Sequence, residues 1–115
     1  MATITATNAK VTGGVTATEV TLTGTDTFTY TKNKSALLIL RNPTAGALTP
    51  VIDGDGATTV GVAGVGPIDI SAGFSVGSIA AGAVEVIRLD TISEYLAGAI
   101  AVTGGTGLVA TLLEF

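Results

Sequence analysis

The chain has no histidine, no cysteine and no tryptophan. Without histidine, the commonest general base is missing, and so is the usual partner of a serine nucleophile. A Ser–Lys pair is the arrangement that composition leaves open. Without cysteine there are no disulfides, no thiolate metal sites and no thiol nucleophile. Charge is scarce as well. Asp, Glu, Lys and Arg make up 12% of the residues, about half of the ~25% of an ordinary domain. The five cations, Lys10, Lys32, Lys34, Arg41 and Arg88, form no basic run, and the formal net charge is −4. Nucleic acid and anionic membrane both demand clustered cations. Neither is expected as a partner.

What remains is apolar and sheet-forming. Hydrophobic residues make up 47% of the 115 positions, with 16 glycines. That length suits a single domain spanning residues 1–115. So much apolar character with so little charge predicts that part of the surface is covered by another chain. Met1–Thr5 has no basic segment leading into an apolar one, so it does not read as a secretory leader.

Strand patterning runs the length of the sequence. Val15 and Ala17, then Val20 and Leu22, then Phe28 and Tyr30 recur at spacing two, separated largely by threonine. Period two is the mark of half-buried strands. A parity slip near Thr18-Glu19 predicts a bulge or turn. Threonine fills every odd position from Thr21 to Thr31. Gly24-Thr25-Asp26 breaks this row into two strands, so it reads as exposed strand threonine rather than a flat ice- or sugar-binding plane.

Lys32-Asn33-Lys34-Ser35 reads as a polar connection; Asn33-Lys34-Ser35 also matches a glycosylation acceptor, relevant only in a secretory setting. Ala36–Leu40 is a continuous apolar run, predicting a central strand covered on both faces and ended by Arg41-Asn42-Pro43. Leu48–Ile52 and Val84–Leu89 are further strands, with short Gly-rich strands between them. Asp90–Leu96 predicts one helical turn with Asp90 as N-cap and Ile92 and Leu96 on one face. Ala99–Thr103 and Leu108–Glu114 predict a hairpin around Gly104–Gly107, rather than a membrane span. The sum is an all-β fold: an antiparallel β-sandwich or jelly-roll-like barrel with at most one short helix. Residues 1–10 are expected as an extended N-terminal arm or an edge strand.

The motifs that could carry chemistry are incomplete. Asp53-x-Asp55-Gly56 opens like a calcium loop, but Ala57 stands at the next ligand position and no closing Glu follows, so a hairpin turn is expected. Gly105-x-Gly107-x-x-Ala110 is too near Phe115 to complete a dinucleotide site. Glu85, Asp90 and Glu94 are the carboxylates available for glycoside hydrolysis, yet aromatic platforms for a sugar are few. The expectation is a protein that is not an enzyme and needs no cofactor or metal.

The C-terminal strand is apolar on both faces: Leu108, Ala110 and Leu112 on one, Val109, Leu113 and Phe115 on the other. Either core covers both, or one face packs on a partner. We single out Thr3, Ile4 and Thr5 of the first strand and Leu112, Leu113 and Phe115 of the last as candidate partner-interface residues.

Several segments together resemble the capsid decoration, or cement, proteins of tailed bacteriophages. They are the Met-Ala-Thr-Ile-Thr start, the Leu37–Leu40 strand closing in Arg41-Asn42-Pro43, Val51-Ile52-Asp53-Gly54, and Ile100-Ala101-Val102-Thr103-Gly104. The likeness is one of texture over most of the chain and supplies no residue list. It implies a structural virion protein on the outer surface of the capsid. Such a protein would bridge neighbouring major capsid protein subunits and associate with itself, with a trimer favoured. A tail or head–tail joining subunit, or a small β-sandwich binding module such as an adhesin, would share the same features.

Overall fold

The computed structural model describes residues 2–30 and 35–115. Apart from Ser35, the polar connection and Asn33 lie outside that range. The strands are β1 (Ala6–Asn8), β2 (Glu19–Thr21), β3 (Thr25–Phe28), β4 (Ala36–Arg41), β5 (Val51–Gly54), β6 (Thr59–Val62), β7 (Gly66–Asp69), β8 (Phe74–Ser75), β9 (Val84–Arg88), β10 (Ile100–Thr103) and β11 (Val109–Glu114). A short 3-10 helical segment, Leu89–Tyr95, kinked at Ile92, separates β9 from β10.

Nine of these strands form a sandwich, as the alternation predicts, and β6 and β7 pair with each other. One sheet runs β1-β11-β4-β9, with β2 also on β11; the other runs β3-β10-β5-β8. Pairing is antiparallel except that β1 runs parallel to β11. One edge of β11 is shared: Ala6–Asn8 lie beside Leu112–Glu114, and Glu19–Thr21 lie beside Val109–Thr111. Leu38, Leu40, Ile87, Ala110 and Leu112 of the first sheet pack against Phe28, Ile52, Ile100 and Val102 of the second in one core. Ile4 and Leu22 seal the side of that core, and the helix adds Leu89 and Ile92, followed by Leu96.

The N-terminal segment supplies an edge strand, β1, and is not confined to one sheet. It touches both sheets. Ala2 and Thr3 run beside Thr27 of the smaller sheet, Ile4 turns into the core, and β1 joins the larger sheet.

Several local expectations are corrected. β10 and β11 are not a hairpin: each is an inner strand of a different sheet, and the chain turns a corner between them at Gly104 and Gly107, both at positive φ. Asp53-Gly54-Asp55-Gly56 is not a hairpin turn either. It carries the chain from β5 into β6, which belong to different sheets, and is stitched sideways. The Asp55 carboxylate accepts the Ala99 amide at 2.8 Å, and the Gly56 amide donates to Ala97 O at 2.9 Å. Gly54 is required here, because a side chain would run into the Tyr95 and Ala97 carbonyls. Asp90 lies inside the helix rather than capping it. The N-cap is Arg88, with no side-chain cap, and Asp90 instead accepts the Tyr30 hydroxyl at 2.9 Å. The alternating Val15 and Ala17 belong to no strand and are exposed. Leu48 makes a single bridge to Ile79, and β5 begins at Val51.

Candidate docking face

The outer faces of the two sheets differ sharply. On the smaller sheet, register and alternation place Thr25, Thr27, Ala101, Thr103, Val51 and Asp53 outward, a mostly small and polar set. On the larger sheet the outward positions form three rows. The first holds Val84, Arg41, Val109 and Thr21. The second holds Val86, Ile39, Thr111 and Glu19. The third holds Arg88, Leu37, Leu113 and Thr7.

Six apolar side chains thus share one surface: Leu37, Ile39, Val84, Val86, Val109 and Leu113. Val84 and Val86 are 53% and 55% exposed, and the other four are half-buried. Thr7 and Thr111 on the same face are buried, and the Thr18 amide donates to Thr7 Oγ1 at 3.1 Å, so the connection from β1 to β2 lies against that side and the β9 side is the open one. The expectation that Ala36–Leu40 is covered on both faces is therefore corrected. Its inner face is fully buried, and Leu37 and Ile39 on the outer face are not.

Among the described residues, the charged side chains of this face stand at its margins. Arg41 pairs with Glu19 at 3.5 Å at one end, and Arg88 with Asp90 at 3.8 Å at the other. Both pairs are solvent-exposed, so each contributes little to stability. Their effect is to leave both margins near neutral. An apolar centre inside a polar rim is the layout of a protein–protein contact.

Phe115 extends β11 past Leu113, its amide donating to Ser35 O at 2.8 Å. It is 45% exposed. With Ser35, Ala36, Leu37 and Arg88 it lines a hollow of about 210 Å³ at the end of the apolar rows. The six residues singled out from sequence therefore separate. Leu113 and Phe115 lie on this face, whereas Leu112 is in the core at 1% exposure. Ile4 is likewise in the core at 2%, while Thr3 and Thr5 are exposed on either side of it. Sequence reasoning did not single out Leu37, Ile39, Val84, Val86 and Val109 as contact residues. The signal was present for β4, which like β11 is apolar on both faces; in β9 the two outward valines stand beside Glu85 and Arg88 and the pattern is weaker.

Two buried polar side chains, Asp26 and Asn42, are held by hydrogen bonds within the chain. The fully buried Asp26 carboxylate accepts the Thr23 amide at 3.0 Å, the Thr23 hydroxyl at 2.9 Å and the Ala2 amide at 3.0 Å. Burial works to raise its pKa, but the bonds from Thr23, Ala2 and Gly24 outweigh that and hold it below the usual carboxylate value. Asn42 is fully buried and saturated. Its Nδ2 donates to Ile79 O at 2.8 Å and Gly46 O at 2.9 Å, and its Oδ1 accepts the Thr44 hydroxyl and amide. Burial, and then its bond to Asp90, raise the pKa of Tyr30.

A hollow of about 500 Å³ between Thr3, Thr27, Thr29, Tyr30, Leu96 and Ala99 has no charged residue among the described residues of its wall. Glu85 and Glu94 are exposed, on β9 and the helix. Among the described residues no three of Asp, Glu, His and Cys come together as a metal site would need. No helix among them is long and apolar enough to cross a membrane. No family model, no curated protein and no solved structure matches this chain.

Proposed function

We propose that this chain is a structural virion protein that docks on the outside of a tailed-phage capsid. There it ties neighbouring capsid subunits together and performs no reaction. The observation that carries this reading is the partly exposed apolar face of the larger sheet, most open at Val84 and Val86, with ion pairs at its rim. The texture shared with decoration proteins supplies the identity of the partner.

The size of the face sets the mechanism. Three strands of up to six residues present about 14 Å by 20 Å, on the order of 300 Å². At about 25 cal/mol per Å² this gives roughly 7 kcal/mol gross. The loss of rotational and translational freedom on association consumes most of that. One copy therefore binds weakly. Many copies on one particle, each spanning two shell subunits, add up to a strong reinforcement.

The test is occupancy on purified shells that lack the protein. Val84→Asp and Val86→Asp change side chains that are already exposed, so the fold is retained while the face gains charge. Occupancy at limiting protein should fall at least about tenfold, equivalent to about 1.4 kcal/mol. Thr5→Lys probes the N-terminal edge in the same assay. Unchanged occupancy for both valine variants would remove the face from the contact. Imaging of labelled protein on whole particles distinguishes a head position from a tail or joining position.

A further inference from the structure

The β6–β7 hairpin stands apart from the sandwich. Its two strands pair with each other and, among the described residues, with no other strand. No charged side chain occurs from Gly56 to Ile68. Val62, Val65 and Ile68 are 38%, 70% and 39% exposed. Two strands alone are marginal in water; a third strand or a packed face is needed for stability. Among the described residues no third strand pairs with it.

The phase of its ladder shows where a third strand can add. The Ile70 amide donates to Thr58 O at 2.9 Å, and the register continues Thr59–Asp69, Val60–Ile68, Gly61–Pro67, Val62–Gly66. Bonded and non-bonded pairs alternate in an antiparallel ladder. Val60–Ile68 and Val62–Gly66 are therefore the bonded pairs. Thr59, Gly61, Pro67 and Asp69 turn their backbone groups away from the hairpin. On the β7 edge Pro67 has no N–H to give and Asp69 brings a charge, two features that block strand addition. On the β6 edge Thr59 and Gly61 each offer both N–H and C=O, and β6 itself carries no charged residue.

We propose that β6 pairs antiparallel with β6 of a second copy of this chain across a two-fold axis, joining the two hairpins into a four-stranded sheet. Thr59 lies opposite Gly61 of the second copy, and Gly61 opposite its Thr59. Each pair exchanges two backbone bonds, so four form. The register keeps the faces in phase, as a two-fold axis through the sheet requires. Val62 and Ile68 of both copies then share one face, and no like charges meet. The area is well below the roughly 800 Å² per partner of a stable dimer. Pairing therefore depends on concentration in solution and strengthens wherever copies are held side by side. This contact is independent of the shell reading and is tested on the isolated protein.

Sedimentation over a concentration series reaching about 1 mM should show the mass rising from the 11.3 kDa of one chain towards twice that value. Amide exchange at Thr59 and Gly61 should slow in parallel. Gly61→Pro deletes an outward donor at a position with open space around it and leaves the bonds between β6 and β7 untouched. It should hold the mass at one chain and abolish the concentration dependence at Thr59. Gly61→Ala keeps the donor and should pair as the parent does. Exchange at the Ile70 amide reports that the hairpin itself survives in each variant. A parent mass of one chain throughout overturns the proposal. So does a Gly61→Pro variant that pairs as well as the parent, or loss of pairing in Gly61→Ala with its hairpin intact.

Discussion

The backbone amide of Ala2 donates to the buried carboxylate of Asp26 at 3.0 Å, so the first described residue of the chain is tied to the edge of the smaller sheet by an ionised group. The same carboxylate closes the Thr23-Gly24 turn.

That bond makes the N-terminal segment sensitive to acid. The folded pKa of Asp26 is lowered, so the unfolded chain binds the proton more readily. The stabilisation is complete above the unfolded value of about 3.9. It declines as pH falls below that and is lost once the folded carboxyl protonates. Asp26→Asn should remove this acid-dependent part and cost about 2–3 kcal/mol at neutral pH. Urea titrations of parent and variant at several pH values between about 2 and 7 check it. Parallel curves over the whole range would contradict the assignment.

Asn42 organises the chain where it leaves β4. Asn42→Ala leaves the Thr44 amide without its partner and takes one of two hydrogen bonds from each of the Ile79 and Gly46 carbonyls, which keep the Leu48 amide and the Thr44 hydroxyl. A loss of about 2–4 kcal/mol is expected. Asn42→Asp should be no better than Ala, because both of its oxygens accept where two donors are required. Thermal melts of the three proteins decide this.

Leu112 and Leu113 are neighbours in sequence and opposites in role. Leu112→Ala opens a cavity at a site only 1% exposed and should cost about 3 kcal/mol or more. Leu113→Ala, on the outer face, should cost well under half as much. It should also weaken shell binding, which Leu112→Ala, once folded, should leave intact. Equal destabilisation by the two changes would mean that the outer face is covered.

Much of the sandwich was legible because period two is a local property. Ala36–Leu40, Val84–Arg88 and the C-terminal strand all declare themselves by composition and alternation. Which sheet a strand enters is not local. Gly104–Gly107 has the residues of a hairpin turn, yet the same residues serve a corner between layers. Val15 and Ala17 alternate correctly and still join no ladder, since a strand needs a neighbour as well as a pattern. Asp26 and Asn42 were read as turn formers. Their burial follows from Thr23, Ala2, Thr44 and Ile79 converging on them, and convergence from distant segments leaves no mark on a window of sequence. The docking face was half legible. Both-face apolar strands were visible, but the side left bare depends on where the second sheet packs.

The corner at Gly104–Gly107 couples the melting of the two layers. β10 runs between β3 and β5, and β11 between β4 and the β1–β2 edge, so consecutive strands sit at the middle of opposite sheets. Peeling either layer open drags the centre of the other through a connection only five residues long. The domain should therefore come apart in one cooperative step, and a load applied across its thickness is carried by a covalent link as well as by side-chain packing.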